Sequence, residues 1–185
     1  MSSNLKTFIV LLRGINVGGK NKVPMANLKK CLEKSGFSNV STYIASGNVI
    51  LESYKHPSEI KVRIEKMLST SFELDSELIK VLVLTHNQLK KVIDNKPSGF
   101  GEKSKKYHSD AIFLMDVSTS NAMAIFNPRE GVDKVWPGNG VIYSQRLSAK
   151  RSQSRLSKIV MSPLYKSMTI RNWNTTTTLL KLSEK

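Results

Sequence analysis

The stretch Leu11-Leu-Arg-Gly-Ile-Asn-Val-Gly-Gly-Lys-Asn-Lys-Val-Pro24 holds the residue types from which phosphate sites are built. A glycine-rich turn between a strand and a helix lets backbone N–H groups approach an anion, and the helix that follows adds its positive N-terminal end. Arg13, Lys20 and Lys22 supply charge, Gly14, Gly18 and Gly19 supply backbone freedom, and Asn16 supplies a neutral donor and acceptor. Gly14 to Lys20 satisfies the G-x-x-x-x-G-K part of a nucleotide-binding loop, and Ile112-Phe-Leu-Met-Asp116 reads as a strand ending in an acid. The fit fails at the hydroxyl: Asn21 stands where Ser or Thr should hold Mg²⁺, and Pro24 starts the helix after the lysine rather than at it. An anion site and a connecting loop with solvated lysines remain as the two readings. Ser46 and Asn48, in Ala45-Ser-Gly-Asn48, join the candidate anion site; Ser46 lacks the G-x-S-x-G setting of a nucleophile and suits a tight turn.

A second candidate is Ser144-Gln-Arg-Leu-Ser-Ala-Lys-Arg-Ser-Gln-Ser-Arg155, continuing through Lys158 to Lys166. Arg146, Lys150, Arg151, Arg155 and Lys158 alternate with Ser and Gln, a mixture that contacts phosphate and sugar in nucleic-acid complexes; the competing reading is a solvated basic helix face. A third is Tyr165-Lys-Ser-Met-Thr-Ile-Arg-Asn-Trp-Asn174, where Thr169 reads as a helix N-cap and Arg171, Asn172 and Asn174 as first-turn groups able to bond a phosphate or a base. Trp173 suits a core anchor better than a base-stacking platform.

Charge gives these segments their sign. Residues 1–51 carry +6, residues 52–133 carry zero and residues 134–185 carry +9, which together make the net +15. No carboxylate lies between Lys134 and Ser183, so the cations there have no local partner and favour polyanions. Catalytic groups are sparse by comparison. His56, His86 and His108 stand singly, none at a ligand spacing, so no metal and no cofactor is indicated. Asp110 and Asp116 share a face of one predicted strand but lie too far apart for a carboxylate pair; hydrolysis at the basic ends would require the fold to bring in Asp110, Asp116 or Glu130.

The elements that must position these residues follow from periodicity. Leu5 to Leu12 reads as a buried strand, Pro24 to Gly36 as a helix with Met25, Leu28, Cys31 and Leu32 on one face, and Val40 to Leu51 as a hairpin turning at Ser46-Gly47-Asn48. A helix from Pro57 to about Phe72 and a strand from Leu78 to Leu84 complete the βαββαβ order of a ferredoxin-like α/β plait. After a short helix around Leu89 to Ile93, residues 96–106 read as a linker. Beyond it come a strand at Ala111 to Met115, a helix at Thr119 to Phe126, and strands at Val132 to Trp136 and Val141 to Leu147 joined by a Pro137-Gly-Asn-Gly140 hairpin turn. Two C-terminal helices, Ser154 to Lys166 and Thr169 to Leu182, end the chain. The expectation is an α+β protein of two plait-like subdomains, 1–95 and 107–185, with extra C-terminal helices.

Three blocks, Leu11 to Met25 (LLRGINVGGKNKVPM), Ser46 to Val49 (SGNV) and Tyr165 to Thr175 (YKSMTIRNWNT), resemble those of a widespread bacterial family catalogued only as a domain of unknown function. The resemblance implies two ferredoxin-like subdomains in a cytosolic bacterial protein and supplies no activity, substrate or catalytic residue. A single cysteine, Cys31, and an N-terminus without a long apolar run agree with a cytoplasmic chain that does not enter a membrane.

The function read first from these residues is binding of nucleic acid or another phosphate-rich polyanion across the basic segments. A second is an enzyme or sensor for a small phosphorylated metabolite, held at the glycine loop and closed by Arg171 or Asn172. A third is docking of an acidic protein partner.

Overall fold

A computed structural model describes residues 4–75 and 79–184. The chain forms two compact units, Met1–Leu89 with Leu179–Lys185, and Lys90–Thr178.

The first unit is built on strand β1 (Lys6–Arg13), an unbroken apolar run whose Phe8 to Leu12 are all buried. Burial on both faces explains the lack of polar alternation. Helix α1 (Met25–Lys34) begins after Pro24 and buries Leu28 and Leu32; Gly36, at φ 84°, ends it. Strands β2 (Ser38–Tyr43) and β3 (Asn48–Ser53) form the expected hairpin. Helix α2 (Pro57–Ser71) starts at His56, whose N–H donates to Glu59 Oε2 (3.0 Å), and buries Ile60, Ile64, Met67 and Leu68. Strand β4 (Lys80–Thr85) follows; its expected first residue, Leu78, lies outside the described residues, as do Met1 to Ser3 of the N-terminal reading. The sheet order is β2-β3-β1-β4, all neighbours antiparallel, which is the ferredoxin-like plait. Phe8, Val10, Leu12, Val49 and Leu51 pack with Leu28, Leu32, Ile60 and Ile64 in one core.

Helix α3 (His86–Asp94) leads into the second unit. That unit contains β5 (Tyr107–Leu114), α4 (Thr119–Met123), β6 (Asp133–Pro137), β7 (Val141–Leu147) and β8 (Met168–Asn172) in the order β6-β7-β5-β8. With β5 taken as the first strand, this is the strand order of the first unit repeated. The second connecting helix is missing. In its place, three 3-10 turns run over Ser148–Gln153, Leu156–Met161 and Pro163–Ser167.

Here the structure corrects the sequence reading of a helix from Ser154 to Lys166. Serine hydroxyls restart the chain at each break: Ser154 Oγ accepts from Leu156 N (3.3 Å) and Ser162 Oγ from Leu164 N (3.2 Å), while Pro163 has no N–H to continue a helical ladder. The last helix is corrected too. Met168 to Asn172 pair with β5 as an edge strand, and α5 (Trp173–Leu182) begins only afterwards, with Asn172 Oδ1 accepting from Asn174 N (3.0 Å). Thr169 is therefore a buried strand residue and not a cap. Within 96–106, Phe100 is fully buried, and its ring meets Trp173, Tyr143 and Trp136 edge-on at 5.0, 5.2 and 5.9 Å. Gly101, at φ 76°, lies directly under the Trp173 indole, leaving no room for a Cβ.

Candidate functional site

The glycine loop is a small hairpin. Gly18 and Gly19 both have positive φ (58° and 77°), as a type I′ turn requires, Lys20 N–H donates to Val17 C=O (3.0 Å) and Asn16 N–H to Asn21 C=O (2.9 Å). Its tip, with Val17, Lys20 and Lys22, is exposed. Two asparagines at positive φ tie its base. Asn16 Oδ1 accepts from Val23 N (2.8 Å), while Asn16 Nδ2 donates to Val23 C=O (3.0 Å) and Ala45 C=O (2.8 Å). Asn21 Nδ2 donates to Gly14 C=O (2.9 Å), and its Oδ1 accepts from Asp75 N (2.9 Å).

The turn between β2 and β3 closes on the same place. Leu12 N–H donates to Gly47 C=O (2.8 Å), and a Cβ at Gly47 would stand 2.8 Å from Leu12 Cβ and 2.9 Å from Ile15 Cδ1. Buried Asn48 donates to Tyr43 C=O and Ser46 Oγ, both at 3.0 Å. Arg13, Gly14, Asn16, Ser46 and Asn48 thus meet at one end of the first sheet, and the first two sequence blocks interlock there. Asn16 and Asn48 have their amide donors engaged by the fold, and α1 begins five residues beyond Lys20, so the helix N-terminus does not follow the glycines directly.

The second candidate segment lies in the second unit. Arg146 projects from β7, and Lys150, Arg151, Arg155 and Lys158 are exposed along the 3-10 turns. Among the described residues none of Lys150, Arg151, Arg155 and Lys158 forms an ion pair. Asp133 fixes this strap from beneath: its Oδ2 accepts from Arg155 N (2.8 Å) and Arg129 N (3.0 Å).

The third segment is mostly interior. Arg171 is 6% exposed, donates to Thr169 Oγ1 and Ile170 C=O at 2.9 Å, and burial pushes its guanidinium down to about 10. Trp173 is a core residue, and Asn172 serves the start of α5; only Asn174 of this group is exposed.

A constellation absent from the sequence reading sits beside the strap. His108 and Asp110 are two apart on β5, so both side chains leave the same face, and His108 Nε2 lies 3.1 Å from Asp110 Oδ1. The register sets Arg146 opposite His108, Asp133 opposite Arg146, and Ser144 and Asn172 opposite Asp110. Further along that face, Ile112, Leu114, Ile142 and Met168 form core with Ile159. Burial pushes the Asp110 carboxyl up, opposed by His108 and by the positive fields of Arg146 and Arg151. Arg146 Nε and Asp133 Oδ1 are buried without a hydrogen-bond partner. The signal available in sequence was the His-x-Asp spacing, but the strand expected at Ala111 to Met115 began too late to set His108 on one face with Asp110.

A second histidine contact, between His86 and Ser183 in the first unit, is structural. His86 Nδ1 lies 2.9 Å from Ser183 Oγ, but that hydroxyl donates to Leu180 C=O (2.7 Å), so its proton is not directed at the imidazole. Among the described residues no cluster of three His, Cys, Asp or Glu is placed to hold a metal ion, and no helix is long and apolar enough to cross a membrane.

The chain is similar to the solved structure of a conserved bacterial protein, SP0830, from Streptococcus pneumoniae, at 22% identity and a TM-score of 0.82, covering 98% of this chain and 100% of that one. At that identity the likeness concerns the fold. No curated protein matches the chain. Residues 5–143, which include the interlocked glycine-loop and SGNV blocks, match one family model, and the chain therefore belongs to the family described as a protein of unknown function, DUF1697.

Proposed function

We propose that the second unit binds nucleic acid, or a polyanion of the same phosphate density, through the strap from Arg146 to Lys158. The observation that carries this reading is the exposure of Lys150, Arg151, Arg155 and Lys158 on one acid-free segment without an ion pair. Unpaired cations close together favour a chain of phosphates over a single small anion, because each further phosphate releases its own counterions. The serines and Gln153 between them add neutral donors for phosphate and sugar oxygens. A surface that works through phosphate and sugar contacts binds without regard to sequence. Lys20 and Lys22 of the first unit's glycine loop are exposed charges as well, its asparagines being engaged in holding its own hairpin.

The test is fluorescence anisotropy with a short labelled single-stranded RNA at low salt, comparing the wild type with an Arg151→Glu/Arg155→Glu variant. A loss of about tenfold in affinity, ~1.4 kcal/mol, is expected. Equal binding by the two proteins would remove the strap from the interaction.

A further inference from the structure

Resting on the reading of the strap as a polyanion surface, we propose that His108, aligned by Asp110, takes a proton from the 2′-hydroxyl of RNA lying across Arg146 and Arg151, so that the bound strand is cleaved.

The geometry has three parts. The contact of Asp110 Oδ1 with His108 Nε2 (3.1 Å) favours the ring hydrogen on that nitrogen and so leaves Nδ1 as the proton-accepting atom. Asp110 is the more sheltered of the two, its side chain 15% exposed against 42% for His108, which is the arrangement of a positioning acid behind an accessible base. The groups facing this pair are cationic on two sides: Arg146 stands opposite His108 on β7, and Arg151 of the strap is near enough for its field to act on the Asp110 carboxyl. Asp133, opposite Arg146 on β6, is the one further acid in this row, and its Oδ2 is engaged by backbone N–H groups. Arg146 also keeps a buried Nε donor without a partner.

The substrate class follows from this inventory. Among the described residues no serine is hydrogen-bonded to His108; Ser144, opposite Asp110, is buried. RNA carries its own nucleophile, the 2′-hydroxyl, on the carbon next to the one that bears each 3′-phosphodiester, whereas DNA does not. His108 Nδ1 accepts the 2′-OH proton, O2′ forms a bond to phosphorus, the P–O5′ bond breaks, and O5′ takes a proton from water. The products are a 2′,3′-cyclic phosphate and a 5′-hydroxyl, with His108 returning its proton to solvent. Arg146 and Arg151 offset the charge that grows on the phosphoryl oxygens.

The experiment incubates the full chain with a labelled single-stranded RNA, the same sequence as DNA, and the RNA with 2′-O-methyl groups, all in EDTA, and reads binding and cleavage separately. The expected result is binding of all three and cleavage of the unmodified RNA alone to cyclic-phosphate ends. His108→Ala then loses about 100-fold or more in cleavage rate while binding stays within about twofold, and added imidazole restores part of the rate. Binding of RNA without cleavage, or equal cleavage by His108→Ala as from a contaminating nuclease, overturns the catalytic proposal and leaves the strap standing. Absence of binding to any of the three overturns the strap, and the catalytic proposal falls with it.

Discussion

Replacing Asn16 by alanine removes three hydrogen bonds at once and leaves, at φ 54°, a residue that tolerates the left-handed region less well than asparagine. Asn16 is solvent-exposed, so each bond belongs at the low end of the usual range, about 0.5 kcal/mol, or roughly 1.5 kcal/mol for the three. The left-handed backbone adds about 1 kcal/mol for alanine, bringing the total to about 2.5 kcal/mol. For a unit of this size a loss of that order lowers the midpoint of its thermal transition by about 10–20 °C. Asn16→Gly separates the terms: it loses the same bonds but accepts positive φ, so it unfolds between the wild type and Asn16→Ala. Differential scanning calorimetry on the three proteins reads the order directly. An Asn16→Ala transition within about 2 °C of the wild type, against the ~2.5 kcal/mol expected, would refute the view that Asn16 braces the loop. Wild-type stability joined to a large loss of RNA binding would return Asn16 to the role of a ligand.

Gly101→Ala drives a β-carbon into Trp173, which is wedged by Phe100, and is expected to destabilise the second unit by more than about 3 kcal/mol; a soluble variant with unchanged tryptophan fluorescence and Tm would contradict this. Tyr143→Phe strips the buried Val92 carbonyl of its 2.7 Å donor and should cost about 1–3 kcal/mol by chemical denaturation, with no loss taken as refutation. Burial raises the Asp110 pKa in the fold, so the unfolded chain releases this proton more readily, and stability declines as pH rises from the unfolded value toward the folded one. Asp110→Asn should therefore raise Tm at neutral pH, with the gain shrinking as acid protonates the wild-type carboxyl; a gain independent of pH would show that the side chain's charge is not its cause.

The first unit was legible because its signals are local. Pro24 and Gly36 bracket α1, Pro57 opens α2, and Ser46-Gly47-Asn48 turns the hairpin, each by the backbone preference of the residue itself. The second unit's first three strands were legible through Pro137 to Gly140 and the β-branched runs beside it. The misread segments depend on partners far away in sequence. Leu156 and Ile159 are three apart, a spacing that a 3-10 turn satisfies as well as an α-helix, and Met168 to Asn172 become a strand only because β5 offers an edge. The basic strap was visible as composition. The His108–Asp110 pair and its Arg146 neighbour needed a strand register that composition does not contain, and Asn16 and Asn48 looked like ligands because the carbonyls they bond are set by tertiary folding.

The salt dependence of single-stranded RNA binding tests the central claim most directly. If Lys150, Arg151, Arg155 and Lys158 each neutralise one phosphate, log K falls against log salt with a slope of about −3, and Arg151→Gln/Arg155→Gln flattens it by about 1.4. A wild-type slope near zero, or a slope that the double variant leaves unchanged, would contradict the assignment of the strap as the polyanion surface.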